Sequence, residues 1–222
     1  MIKFENTEVM NFEGAIRGMR NPLNSWDKSD SGYLCGDKVC TIMKDCDLCC
    51  DIPHFVIRPN DLSLMKKLIK AGSDHRKFMR QILVSVDITA PLYWWKEFDT
   101  YKVGTVSNSC STMHKIHDKE FTLEDFSTEH LGYAGIDILK IIIGHLNINR
   151  KVFIEMKNKD FWWEMIQLLP SSYNQRRTIT LNYEVLYNIY GSRRNHKLDE
   201  WSIGFMEWIE SLPYSELITD RS

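Results

Sequence analysis

The chain has 222 residues, 43% of them hydrophobic and 26% charged, with a formal net charge of −2. That size and balance fit one compact globular domain, or one domain with a small extension, and the near-neutral charge argues against a general nucleic-acid binder, which carries a basic face. The most apolar run, Ile138 to Leu146, is too short for a membrane span and contains Lys140 and His145, so no membrane partner is expected.

At the amino terminus, Met1-Ile2-Lys3-Phe4-Glu5 lacks the basic flank and apolar core of a secretory signal, which implies a cytoplasmic protein. Residues 1–34 read as irregular. Within them, Arg17 and Arg20 with Gly14 and Gly18 could clamp an anion, or the segment is a short helix or strand turning at Asn21-Pro22. The stretch 24–31 has loop composition around Trp26. Cys35, Cys40, Cys46 and Cys49 follow, in a compartment where thiols or metal ligands are the expectation. The Cys46/Cys49 spacing suits a metal, and the four together could hold zinc; the alternative is a loop of free thiols.

Phe55-Val56-Ile57 is a short strand candidate. Asp61 then suits an N-cap, and Leu62, Met65, Leu68 and Ile69 recur at helical spacing until Gly72. Asp74 to Arg80 is a charged turn, and Ile82–Val86 is a strand. From Ile88 to Lys115 the chain concentrates Tyr93, Trp94, Trp95, Phe98 and Tyr101 among lysines and acids, then enters a hydroxyl-rich run. Aromatics supply rigid apolar area and the polar groups supply donors, so the stretch reads either as a ligand pocket or as a packed amphipathic helix entering a Ser-rich turn.

Thr122-Leu123-Glu124-Asp125 has a capping pattern that predicts a helix start. Further helices are expected from about Ile136 to Leu146, over Phe161–Leu169, over Thr178–Tyr190 and over Leu198–Ile209. His130 and His145 lie in apolar helical context and read as structural rather than as ligands.

Two separated blocks resemble flavin-dependent thymidylate synthases. Lys96-Glu97 stand where that family has Arg-Gln, and Thr100-Tyr101-Lys102 where it has Arg-His-Arg. With one inserted residue, Asn108 and Ser111 meet the Asn and second Ser of its Ser-x-Asn-Glu-x-Ser-x-Arg-Tyr segment; Ser109, Met113 and His114 replace the Glu, Arg and Tyr. In the second block, Leu169-Pro170 and Tyr173 precede Asn182, Asn188 and Arg193, which match an Asn, a later polar residue and an Arg. Glu184 and Ile166 replace family arginines, Arg80 falls at a family His and Met79 at a family Glu.

The resemblance covers about residues 60–212 and leaves 1–59 as an extension carrying the Cys cluster, beside a synthase-like domain over 60–222. It implies an α+β fold in which a small sheet, holding Phe55–Ile57 and Ile82–Val86, is packed by long helices. It implies a homotetramer with shared active sites, FAD as cofactor, and methylation or another modification of a dUMP-like pyrimidine nucleotide. Glu97, Tyr101, Lys102, Ser111 and Arg193 become nucleotide contacts, and Arg80, Asn182 and Asn188 flavin contacts. Because most signature charges are changed, the rival expectation is a non-catalytic nucleotide- or protein-binding module with a zinc-stapled extension.

Overall fold

The computed structural model describes residues 2–35, 38–40 and 55–221, with only the backbone described at 35 and 38–40. Its centre is a four-stranded antiparallel sheet of β1 (Lys3–Met10), β5 (Leu83–Pro91), β7 (Asn174–Asn182) and β6 (Val106–Ser109), in the order β1-β5-β7-β6. Alternation along β5 decides its two faces. Val84, Val86, Ile88 and Ala90 point into the core, while Ser85, Asp87 and Thr89 stay partly open. The β5–β7 register sets Leu181 and Ile179 beside Val84 and Val86, so both strands contribute to one apolar face.

Helices cover that face. They are α1 (Phe12–Arg20), α2 (Pro59–Lys70), α3 (Leu92–Phe98), α7 (Tyr183–Arg193), α8 (Met206–Glu210) and α9 (Glu216–Thr219), with a π-helical turn at Glu200–Phe205. Trp94, Trp95, Phe98, Trp201 and Phe205 form the aromatic centre of this core, and the Trp94 and Trp201 rings lie 4.6 Å apart. Phe98 meets both tryptophans on α3 because it lies four residues after Trp94 and three after Trp95.

A second, smaller core belongs to α5 (Tyr133–Met156) and α6 (Lys159–Leu168), where Leu139, Ile143 and Leu146 meet Met165. Phe121 and Phe126, either side of the turn Leu123–Asp125, complete it. A three-stranded sheet of β3 (Lys38–Cys40), β2 (Gly32–Cys35) and β4 (Phe55–Val56) stands apart from the main one. Among the described residues no helix is long and apolar enough to cross a membrane.

The α+β class holds, and several expected elements are corrected. Phe55-Val56 is a strand, but it pairs with β2 rather than joining β5. Lys3–Met10, expected to be irregular, is the edge strand β1, whereas Phe12–Arg20 is the short helix before Asn21-Pro22, one of the readings of that segment; both pack with the main sheet. The helix expected over Thr178–Tyr190 begins only at Tyr183. Thr178-Ile179-Thr180-Leu181 is β-branched and period-two, and pairing with β5 and β6 holds it extended. The helix expected over Leu198–Ile209 is split by the π-turn, and the capping pattern at Thr122 closes only a single 3-10 turn. Asp61 is not a cap: α2 starts at Pro59, and the Asp61 carboxylate turns toward Arg20, Ser29 and Ser31.

Candidate functional site

Three of the five expected nucleotide contacts converge from separate elements. Glu97 lies in the last turn of α3, Tyr101 three residues beyond the end of that helix, and Arg193 is the last residue of α7. Arg193 Nε donates to Tyr101 Oη at 2.9 Å and its Nη1 donates to Glu97 Oε2 at 2.8 Å. The guanidinium carbon sits 5.1 Å from the centre of the Trp201 ring and 5.7 Å from that of Tyr101, within cation–π range. His196 Nε2 is 3.3 Å from the same Glu97 oxygen, and its Nδ1 accepts the Leu198 backbone N–H. In the neutral ring an accepting Nδ1 leaves the proton on Nε2, the nitrogen nearer Glu97. His196 and Trp201 are the members that sequence reasoning missed; His196 lies in the turn after α7 and Trp201 in the π-helical turn that follows, where residue spacing carries no sign of the fold-back.

Lys102 is exposed just beyond this cluster and has no ion-pair partner among the described residues. Gly104 follows it at φ 78°, where an added Cβ would lie 2.9 Å from Asn182 Nδ2, so only glycine fits without displacement.

Ser111 lies elsewhere. Its hydroxyl accepts the His114 N–H and caps α4 (Thr112–Lys115) at 3.0 Å. It lines a polar cleft of about 490 Å³ together with Cys110, Lys119, Tyr173 and Arg176. Burial raises the Tyr173 phenol above its ordinary value, and Lys119 pairs with Asp125 at the cleft wall. None of the residues around Arg193 lines this cleft, so one chain does not bring Ser111 to Arg193.

The expected flavin contacts divide. Arg80, in the turn Lys77–Gln81, pairs with Glu184 in the first turn of α7. Arg76 Nε reaches the same carboxylate at 3.3 Å and stacks on Tyr187 at 4.5 Å. Burial alone would raise the Glu184 carboxyl, but the bonds from Arg80 and Arg76 outweigh it and hold the group below its ordinary range. Two guanidiniums thus meet one carboxylate at this corner, where Asp74 also acts on Arg80 and Arg221 stacks on Tyr187 at 4.1 Å. Asn188 is one turn beyond Glu184 on the same helix and is exposed, so it lies on the side of α7 that Arg80 faces.

Asn182 has a structural task of its own. Its Oδ1 accepts the Val185 N–H at 3.0 Å and caps α7, and the residue is buried. Asn182→Ala is expected to lower stability by about 1 kcal/mol, the usual cost of losing such a cap. A denaturation midpoint unchanged from wild type would contradict that role.

Among the described residues no group of His, Cys, Asp and Glu is arranged to hold a metal ion. Cys46 and Cys49 of the expected zinc set lie outside the described residues, and Cys35 and Cys40 are described only as backbone in β2 and β3.

No protein-family model matches the chain. No curated protein matches it. Solved structures do: thymidylate synthase X from Helicobacter pylori with FAD and dUMP superposes with a TM-score of 0.66 at 13% identity, covering 100% of this chain and 98% of that one. A second structure, flavin-dependent thymidylate synthase X from the same organism complexed with FAD and dUMP, gives 0.65 at 13% identity, with 99% and 98% covered. At that identity the likeness shows a shared fold across the whole chain.

Proposed function

We propose that this chain is a flavin-dependent thymidylate synthase-like protein that binds a pyrimidine nucleotide of the dUMP class and modifies its base, methylation being the leading reaction. The observation that carries the reading is the convergence on Arg193 of Glu97 and Tyr101, two further residues expected to contact nucleotide, inside a fold whose relatives hold dUMP and FAD. Arg193, with Lys102 at the rim, would bind the nucleotide. Tyr101 and Trp201 would keep the guanidinium flat and oriented, and positioning of this kind is a large part of what such a site supplies.

The corner at Arg80 is where the anionic part of FAD would sit: Arg80 and Arg76 supply the guanidiniums and Asn188 is exposed one turn along α7 from Glu184, whereas the Oδ1 of Asn182 already caps its helix. When bound there, FAD supplies the hydride chemistry; the chain contributes the cationic seat at Arg80 and the polar contact at Asn188.

Assembly follows from α5. Its buried side carries Leu139, Ile143 and Leu146, and its other side carries Ala134, Ile138, Ile141, Ile148 and Val152, interrupted by His145, which pairs with Glu164 of α6. Ile138, Ile141 and Ile148 are 60%, 73% and 59% exposed. An apolar seam of that kind suits pairing with the same helix of another copy. A homo-oligomer, a tetramer in the reading adopted here, would allow Ser111 of one subunit and Arg193 of another to meet over one ligand.

The nucleotide part is tested by calorimetric titration with dUMP. Arg193→Ala is expected to weaken binding by about tenfold or more, because a buried charge-assisted bond is worth ~1.5–3 kcal/mol and ~1.4 kcal/mol is a decade. Wild type that binds no pyrimidine nucleotide, or a variant that binds as well as wild type, contradicts it. Binding without turnover is the second reading, and Thr100 and Met113, uncharged where the resembled family has arginines, favour it.

A further inference from the structure

Arg193 is already holding an anion, and that anion is part of the chain. The flat faces of its guanidinium lie near Trp201 and Tyr101, its Nε is bonded to Tyr101 Oη, and its Nη1 to Glu97 Oε2. Its side chain is only 19% exposed. Among the described residues its Nη2 has no partner, so one edge of the group is left to bond outward. Carboxylate and phosphate oxygens compete for the same guanidinium geometry.

Glu97 is itself held from two sides. Arg193 Nη1 and His196 Nε2 both approach Oε2, at 2.8 and 3.3 Å, and the Leu198 N–H donates to His196 Nδ1 on the far side of the ring. The carboxylate is therefore a well-ordered counter-ion, and it cancels the charge of Arg193 where a nucleotide phosphate would need it. A second anion brought beside Arg193 meets Glu97 as a like charge in a partly desolvated place, where repulsion is stronger than in bulk water.

We infer that Glu97 is the resting occupant of the Arg193 anion site and sets its specificity: a phosphorylated ligand binds only in exchange for the Glu97 carboxylate. The inference rests on Arg193 being a nucleotide contact, as proposed above, and concerns which anion holds it at rest. Its consequence is low discrimination between a nucleotide and its unphosphorylated nucleoside.

Glu97→Gln is the direct test. The amide oxygen can still accept from Arg193 in nearly the same shape, and only the charge is removed. Wild type, Glu97→Gln and the double variant Glu97→Gln/Arg193→Ala are titrated with dUMP, deoxyuridine and inorganic phosphate at one ionic strength and neutral pH. Glu97→Ala runs alongside, so that a folding defect in one variant leaves the comparison intact.

The expected result is dUMP binding about tenfold or more tighter in Glu97→Gln than in wild type, a change of ~1.4 kcal/mol, with deoxyuridine unchanged. That gain should vanish in the double variant. Affinity for dUMP equal to or weaker than wild type, or a gain that survives without Arg193, overturns the inference. FAD retention is read on the same samples. Flavin-bearing protein with equal dUMP affinities rejects the Glu97 role and leaves the flavin reading intact. A gain of phosphate affinity in protein that never binds flavin keeps the Glu97 role and rejects that reading.

Discussion

Asp61→Ala is expected to cost about 3–5 kcal/mol, the penalty for leaving a buried charge without its partner. Asp61 is fully buried and accepts from Arg20 Nε at 2.7 Å, Ser29 Oγ at 2.8 Å, the Asp30 and Ser31 N–H groups at 3.1 and 3.0 Å, and Ser31 Oγ at 2.6 Å. Arg20 is buried too and spends Nη1 on the Ser25 carbonyl at 3.0 Å. One carboxylate thus ties α1, the loop 21–31 and the start of α2 together. A domain is typically stable by about 5–15 kcal/mol, so the variant should lose much of its margin. Chemical denaturation reads the loss directly, and a cost under about 1 kcal/mol would contradict the account.

The same group predicts a pH dependence. Burial pushes the Asp61 carboxyl up, but bonds from the Ser31 and Ser29 hydroxyls, Arg20 and the Ser31 N–H outweigh it and leave the group below its ordinary value. A carboxyl lowered on folding contributes stability that is fully present above its unfolded pKa of about 3.9 and is lost as pH falls through the folded value. Wild type should lose this contribution in acid below about pH 4, and Asp61→Ala should lose less over the same interval.

The second large effect concerns assembly. Ile141→Asp combined with Ile148→Asp is expected to convert the protein to a monomer of 26.2 kDa. Burying each isoleucine in an interface contributes about 1.5–3 kcal/mol, and a carboxylate at the centre of an apolar seam adds a desolvation cost. The opposite face of α5, which packs on Met165, is untouched, so the fold should survive. Light scattering separates the outcomes. A monomeric wild type rejects the oligomer, and a variant whose mass is unchanged rejects this seam as the interface.

What could be read from the residues follows from where each pattern's partner lies. α2 and α6 are legible because their apolar spacing is local and each has one solvated side. β7 is not, because Thr178–Leu181 becomes a strand only through β5 and β6, both distant in sequence. β1 hides for another reason: it is an edge strand with a register shift between Glu5 and Glu8, and only Phe4 and Val9 turn inward against the core. The resemblance named Glu97, Tyr101 and Arg193 as one set, and the fold places these three side chains against one another. It could not reveal that Glu97 bonds Arg193, that Glu184 bonds Arg80, or that Asn182 is a cap, since each of those depends on the path of the folded chain.

The most direct test of the central claim is the visible absorbance of the protein after incubation with FAD and removal of free cofactor by gel filtration. A retained flavin band is expected, reduced in Arg80→Ala and preserved in Asn182→Ala variants that remain folded. Protein that emerges colourless, with FAD wholly in the late fractions, would contradict it.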